Sequence, residues 1–558
     1  MKKPPLPSTP TPSLSALSAL ALLLATTTAT ATAQPAAPAQ PDRERSPFGD
    51  FSFYFGDLHS HTGYSGDMKN ISVNAKLAGT NKSLDELIPE WDKSWNNKTD
   101  WNKVLTKEQL RALDQRYNPD NPDRPMQLPR DSYVQAKKLA LDFMAVTDHS
   151  NVTDPARDPG AKPQNKNYQY GFLYPNDTAH WNDMKESAAR ATVPGKFVAI
   201  HGVEFSKNGG YAPGHANVFN TENWASALPA NNTYPWLLGK PEQAPGFDPK
   251  KPPQIEKTMP WEKANAEKKG TRVLVQFNHS GRNNYKDWID QANPRSIKYT
   301  DRNGAVSKEP MDYNQYVRLF EMQSNANKAR SPNTLARRLT YHKVLNLGWK
   351  VGAVHNSDTH GVPNYTNGHL HEKRATGALS PSLTKNDIIE SLYQRRVYAS
   401  YLPRLQLDYR LSVNGVEKVM GGEFDFATPP SKGIKIRVFA KDLGYKNTVA
   451  KLDLKPVPIT KIEVIGGIYS PGNPDPDPGP NEAGFLQNNK PPGKQFPGQP
   501  VIVKTINVGK YDLKAGWQTE FTIDPCLPFD YYYLQVWADS ADNKNPIATT
   551  SPIWMDNK

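Results

Sequence analysis

The 558-residue sequence predicts an α/β chain: a barrel of strands and helices over residues 48–403, followed by an antiparallel β domain over 404–558. Three observations carry this reading. Short apolar runs recur, each ending in a polar residue able to bind metal; helical patterns lie between several of them; and beyond about residue 403 strands continue without an obvious helix. The runs are FSFYFGDLHSH (51–61), LDFMAVTDH (141–149), KFVAIHGVEF (196–205), RVLVQFNH (272–279), VRLFEM (317–322) and WKVGAVHNSDTH (349–360). Such runs read as buried strands with chemistry at their C-terminal ends. Alternation with helices fits a barrel or a doubly wound sheet. Ligand-type residues arriving from six runs favour the barrel, whose closed ring points every strand end at one centre.

In chain order, Lys2 and Lys3 precede the apolar stretch 14–25, and an Ala-x-Ala pattern ends at Ala33. Residues 1–33 therefore read as a secretory signal peptide and 34–47 as a Pro/Ala-rich linker, which places the mature protein in the periplasm or outside the cell, with no membrane partner after cleavage. A chain 22% charged and 37% hydrophobic is neither a membrane bundle nor a disordered tail. Its single cysteine, Cys526, excludes an intramolecular disulfide framework and any cysteine-based zinc site, so metal chemistry must use His, Asp and Glu. The net charge of +12, of which Lys2 and Lys3 leave with the leader, suits an anionic small-molecule partner; an evenly basic surface is the plain alternative.

Residues 69–130 read as an insertion over the site, with a capping box at Thr106 and Gln109. Asp131 precedes the helical SYVQAKKLAL, and Ser331-Pro332 opens TLARRLTYHKVLNLG, which closes at Gly348. In the C-terminal part, SPGNPDPDPGP and NKPPGKQFPGQP are too rich in proline for central strands and are expected as an exposed loop. The aromatic YYYLQVW reads as a core strand rather than a stacking platform, so nucleic acid is not an expected partner.

His59 and His61 are two apart at the end of the first run, and on an extended strand both then face one side and can grip one ion. Alone this spacing is weak. It gains weight because Asp67, Asp148-His149, Glu204, His279 and Asp358-x-His360 stand in the same relation to apolar runs, which absorb most of the 12 histidines.

With these residues in view, GDLHSHTGYSGD, LDFMAVTDHS, the strand ending in HGVEF, the isolated His279 and the closing SDTH resemble the ordered motifs of the PHP (polymerase and histidinol phosphatase) superfamily of metallohydrolases across residues 51–403. GHANVF, LFEMQSN and IIESLYQRRVYAS are similar to a bacterial branch that includes carbaryl-hydrolase-like enzymes and relatives of unassigned function. The resemblance implies a distorted (β/α)7 barrel with two or three divalent ions, zinc, manganese or iron. It implies His59, His61, Glu204 and Asp358 for the first ion. Glu204 would bridge to a second held by His215 and His279, and Asp67, His149 and His360 would hold a third. Many members carry histidine where this chain has Asp67. The implied activity is hydrolysis by a metal-bound hydroxide, on phosphoesters first and on carboxyl or carbamate esters as the alternative. A non-catalytic, metal-containing binding module is the alternative of another class.

Two close cations suit this chemistry because they lower the pKa of a shared water and offset charge on the leaving oxygen. The rival amidohydrolase barrel also opens with H-x-H, but places a carboxylated lysine on a middle strand and ends in a lone aspartate; here Glu204 and Asp358-x-His360 occupy those places. Neither GxGxxG nor the P-loop signature occurs. With Glu204 and Asp358, Arg282 completes the candidate catalytic set: three residues past His279, it is suited to clamp an anionic oxygen, against the reading of an exposed loop arginine. Glu321 is read either as orienting a ligand or as pairing with a local cation, His355 as a buried structural histidine before a ligand partner, and Asp57 and Asp148 as supports for neighbouring ligands.

Overall fold

The computed structural model describes residues 44–62, 129–149, 178–207, 214–221, 274–279, 294, 312–322, 335–360, 374–426, 433–448, 452–470, 498–524, 528–539 and 545–557. These residues form a mixed α/β, sheet-rich structure containing four α-helices. The leader at 1–33, residues 34–43 of the linker, all but the last two residues of the 69–130 insertion, and Cys526 lie outside the described set. No described helix is long and apolar enough to cross a membrane.

β1 (Ser52–Asp57), β3 (Phe143–His149) and β4 (Val198–Lys207) run parallel, side by side. Every residue of β1 and β3 is buried. That explains their continuous apolar sequences, since a strand covered on both faces has no solvent side to mark with polar residues. One cover is the helix pair α1 (Pro129–Lys138) and α2 (Thr178–Ala191). On α2, Trp181, Met184 and Ala188 recur three and four apart and pack with Tyr133 of α1 and with Phe197. Tyr133 donates its hydroxyl to the Ile200 carbonyl at 2.7 Å, tying helix to strand. Asp131 lies within the first turn of α1 rather than ahead of it. Where β1 meets β3, a Cβ on Gly56 would stand 2.3 Å from the Phe143 ring, so this position admits only glycine.

Past β4 the pattern departs from regular βα alternation. β5 (Gly214–Phe219) is antiparallel to β4 and to β6 (Leu274–Phe277), and β7 (Val317–Glu321) and β8 (Gly352–Val354) then resume parallel pairing. Residues 208–213 are too few for the crossover that a parallel strand needs, so β5 must return beside β4. On the other flank β10 (Ala375–Ser380) is antiparallel to both β1 and β11 (Val397–Ser400), with α4 (Lys385–Tyr393) between β10 and β11. The sheet order β11-β10-β1-β3-β4-β5-β6-β7-β8 curls until a Cβ on Gly352 of β8 would touch Arg395 and Val397 at 3.0 Å. Two short strands, β2 (Ser60–His61) and β9 (Thr359–His360), pair in parallel beyond the ends of β1 and β8. Helix α3 (Leu335–Asn346) stops where the sequence predicts. Gly348 adopts φ +97°, Trp349 N–H reaches the Val344 carbonyl at 3.3 Å, and Gly348 N–H reaches that of Leu345 at 2.9 Å.

The C-terminal part is β-rich, as its sequence predicts. One sheet has the order β13 (Val416–Val419), β12 (Leu405–Val413), β15 (Ile434–Asp442), β20 (Trp517–Ile523). Asn414 and Gly415, both at positive φ, form the two-residue turn between β12 and β13. A small hairpin, β16 (Tyr445–Asn447) and β17 (Leu452–Leu454), docks on the end of α1 through Asn447 and the Lys138 carbonyl at 2.9 Å. The remaining strands are β14 (Glu423–Phe426), β18 (Ile459–Gly467), β19 (Val501–Asn507), β21 (Tyr531–Ala538), β22 (Ala548–Thr550) and β23 (Ile553–Asn557). Pairing is not antiparallel throughout, since β14 and β23 are parallel. β22 pairs with β11, so the hydrogen-bonded sheet runs straight through residue 403.

Two segments expected as loose chain are partly built into the fold. At the linker's end Glu44 pairs with Lys441 at 2.8 Å, and buried Ser46 donates to Asp408. Phe48 follows, its ring 4.1 Å from the Arg437 guanidinium. At the end of the proline-rich stretch, Gly498, Gln499 and Pro500 are buried, and Asn346 of α3 donates to the Gly498 carbonyl at 2.8 Å. Residues 471–497 lie outside the described set.

Arg395 ties the two parts together. Fully buried at φ +59°, it donates to the Gly421 carbonyl at 3.0 Å and the Lys350 carbonyl at 3.2 Å, pairs with Glu423, and lies 4.7 Å from the Trp554 ring. Burial pushes the Glu423 carboxyl up, but Arg395 and Lys350 outweigh it and hold the group at about 2. A folded-state value below the unfolded one gives stability that is present above the ordinary carboxylate range and lost as pH falls toward 2. Arg395→Ala is expected to lower stability in urea unfolding at neutral pH, since the guanidinium's contacts with Gly421, Lys350 and Trp554 are lost while Glu423 keeps Lys350. The variant should also show a shallower loss of stability between pH 5 and 2 than the wild type.

Candidate metal centre

Beyond β1, Leu58 and His59 lead into β2, and the surrounding backbone is pinned by carboxylates. Asp57 accepts the backbone N–H of His59 at 3.0 Å and that of Ser357 at 3.2 Å. Asp148 accepts from the Thr62 N–H at 2.5 Å and its hydroxyl at 2.7 Å. His59 and His61 are fully buried, their Nε2 atoms 3.2 Å apart.

Glu204 stands opposite His149 in the β3–β4 ladder, fully buried. Its Oε1 lies 2.9 Å from His215 Nδ1 and 3.3 Å from both His59 Nε2 and His279 Nε2. Its Oε2 lies 2.6 Å from His149 Nδ1 and 3.6 Å from His61 Nε2. The antiparallel return of β5, in register at Ser206 and His215, is what delivers His215 to this carboxylate. Asp358, after β8, brings Oδ1 to 3.1 Å from His61 Nε2 and 3.3 Å from His59 Nε2.

Two of these side chains are aimed by backbone in the left-handed region, φ +50° at Asp358 and +28° at His279. Non-glycine residues stay there only when their surroundings fix them. Here the Asp358 N–H donates to the His59 carbonyl at 2.8 Å, and the His279 N–H to Glu321 Oε2 at 2.7 Å.

Glu321 also explains the His59 tautomer. Its Oε1 lies 3.0 Å from His59 Nδ1; an ionised carboxylate only accepts, so the proton sits on Nδ1 and the Nε2 lone pair is turned toward His61, Glu204 and Asp358. Burial pulls the His59 imidazole down, but Glu321, Asp358 and Glu204 outweigh it and raise the group well above its ordinary value. Burial pushes Glu204 up, and His215, His149 and His59 together hold it well below the usual carboxylate range. The same three carboxylates would favour a divalent cation beside the His59 Nε2 lone pair. Burial is the largest influence on His215 and lowers it, against the opposing pull of Glu204, toward the neutral form that ligates metal.

The donor set fits a cation. Imidazole nitrogens and carboxylate oxygens are the ligands zinc, manganese and ferrous iron accept. Two trios, His59/His61/Glu204 and His149/Glu204/His215, each keep their ligand atoms within 4.8 Å of one another. Glu204 belongs to both. His149, which the sequence resemblance assigns to a third ion, is grouped here with Glu204 and His215, and His279 Nε2 is 3.1 Å from His215 Nδ1. His360 stands opposite His61 in the β2–β9 ladder, while Asp67 and Arg282 lie outside the described residues.

Buried His355 gives Nδ1–H to the Ser400 carbonyl at 2.9 Å and packs edge-on against Tyr401, a structural histidine as its sequence context suggests. Sequence reading missed two carboxamides. Asn278 donates to Glu204 Oε1 at 2.9 Å, and Asn356 donates to Glu321 Oε1 at 3.1 Å. The only signal was a polar residue in an otherwise buried stretch beside a candidate ligand.

No family model and no curated protein matches the chain. Among solved structures it is similar to a two-domain protein from Bacteroides vulgatus containing a predicted PHP-like metal-dependent phosphoesterase, at 10% identity, covering 92% of this chain and 99% of that one, with a TM-score of 0.35. A likeness that loose fixes neither fold nor activity. What the described residues define on their own is a sheet-rich α/β protein with His/Glu clusters that fit divalent metal.

Replacing Glu321 with Gln leaves no arrangement that accepts from both His59 Nδ1 and the His279 N–H. Removing such supporting groups typically weakens metal binding about 10–100-fold. Glu321→Gln is expected to fall in that range in a competition titration against a chromophoric chelator, with an unchanged circular dichroism spectrum.

Proposed function

We propose that this chain is an exported metal-dependent hydrolase of PHP type, its strands β1 to β8 forming a distorted barrel and its substrate an anionic phosphoester. The observation that carries the reading is the Glu204 carboxylate, one oxygen turned to His215, His59 and His279 and the other to His149 and His61. A fully buried carboxylate shared by two ligand trios is suited to bridge two cations. His59, His61, Glu204 and Asp358 would hold one ion, and Glu204, His149, His215 and His279 the other; Asp67 and His360 are the remaining proposed ligands. Such ions supply Lewis acidity, which brings water's pKa toward neutrality and offsets charge on an ester oxygen.

The chain's own groups do the rest. Glu204 sets the spacing of the two ligand sets. Asp358, slightly exposed where Glu204 and Glu321 are sealed, is proposed to take a proton from the attacking water. Arg282 is proposed to hold the ester's anionic oxygen, in keeping with the excess of Lys and Arg over Asp and Glu. Export rests on the leader pattern at 1–33.

Glu204→Gln keeps the volume but removes the charge that faces both trios. It is expected to lower turnover by more than about 100-fold and to lose at least one metal equivalent by elemental analysis, with the fold unchanged by circular dichroism. Assays on p-nitrophenyl phosphate, bis-p-nitrophenyl phosphate and naphthyl esters read the substrate class. Ester turnover without phosphatase activity overturns the phosphoester assignment, and full metal content with near-normal turnover in the variant overturns the bridge.

A further inference from the structure

Behind the histidines lies a chain of four carboxamides that the proposed chemistry leaves unused. Asn278 spends one N–H on Glu204 Oε1 at 2.9 Å and the other on Asn217 Oδ1 at 2.8 Å. Asn356 spends one on Glu321 Oε1 and the other on Gln276 Oε1, both at 3.1 Å. Gln276 joins the two pairs by donating Nε2 to Asn278 Oδ1 at 2.9 Å. The chain then closes on itself through Leu58, the residue before His59: Asn217 donates to the Leu58 carbonyl at 3.0 Å, and the Leu58 N–H donates to Asn356 Oδ1 at 2.8 Å. All four carboxamides are buried, none more than 3% exposed.

The direction of every bond in this ring is dictated. An ionised carboxylate only accepts, so Asn278 must present its NH2 to Glu204 and Asn356 its NH2 to Glu321. Asn278 then shows oxygen to Gln276, while Asn356 shows it N–H. Gln276 must therefore donate at one end and accept at the other, which at this side-chain length glutamine does and an ionised glutamate does not. Turning over either asparagine would set oxygen against a buried carboxylate, and buried networks of this kind are stiff when every member is satisfied.

We propose that Gln276 is a positioning residue that locks Glu204 and Glu321 to each other, so that the carboxylate shared by the two trios and the carboxylate that orients His59 keep one fixed relation. The inference rests on the proposed function and adds a residue that touches neither substrate nor ion. Ionised glutamate at 276 has no donor for Asn278, leucine has neither group, and asparagine is one methylene short and satisfies one end only.

The test compares full-length wild type with Gln276→Glu, Gln276→Leu and the milder Gln276→Asn. Manganese affinity is read by competition titration, turnover at saturating manganese, and folding by metal-free thermal unfolding. The glutamate and leucine variants are expected to bind manganese about tenfold more weakly or worse, and the asparagine variant to fall between them and wild type. At saturating manganese kcat should drop with KM unchanged, because Gln276 acts through the two carboxylates rather than on substrate. A residue with a purely structural part would lower the metal-free melting temperature and leave manganese affinity alone. Wild-type affinity in any folded variant overturns the proposal, as does failure of all three to fold, which would make Gln276 a core residue rather than a site residue. A wild-type protein that binds no manganese, zinc or ferrous iron instead removes the functional reading beneath it, an outcome distinct from normal wild-type binding with unaffected variants.

Discussion

One buried carboxylate surrounded by imidazoles organises the molecule. Glu204 is sealed from solvent with five histidines within 3.6 Å of its oxygens. A lone ionised carboxylate in such a place is strongly unfavourable, and a set of neutral imidazoles turning lone pairs on it makes matters worse. Protons or cations must therefore sit among these groups, and the fold must keep the groups from drifting apart. The parallel strands meet that demand by running side by side: β3 contributes His149 and β4 contributes Glu204 at the same level of one ladder. The antiparallel β5 then returns His215 to the level of β4's end, a placement a long crossover would not give.

Around this centre, strain and support are balanced. Asp358 and His279 sit in left-handed backbone, which costs on the order of 1–3 kcal/mol each. Their N–H groups are taken by the His59 carbonyl and by Glu321, so the groups that hold the strained backbone belong to the same cluster. Perturbing one ligand therefore disturbs the backbone that aims another. The C-terminal strands brace the scaffold from outside, with β22 paired to β11 and Arg395 reaching Gly421 and Glu423.

Much of the centre was legible because its residues combine rare types with a strong positional rule. His59, His61, Glu204, His279 and Asp358 each follow an apolar run, and buried strands make such runs conspicuous. The stop of α3 at Gly348 was legible for a similar reason, a glycine at the end of a periodic pattern. Other features left little trace. The direction of β5 depends on the length of one loop and not on the letters of GHANVF. Glu321 could be read two ways until His59 was seen beside it. Asn278, Asn356, Asn217 and Gln276 have no spacing signature, because their partners come from separate strands. Continuity of the sheet across residue 403 is a pairing between distant segments, and Glu44 and Ser46 looked like linker because the chain around them is rich in proline and alanine.

The most direct test of the central claim is an anomalous difference map from crystals grown with manganese. The account predicts two peaks, one on either side of the Glu204 carboxylate: the first among His59, His61 and Asp358, the second among His149, His215 and His279. A map with no peak at Glu204, or with a single peak that Glu204 does not touch, would contradict it.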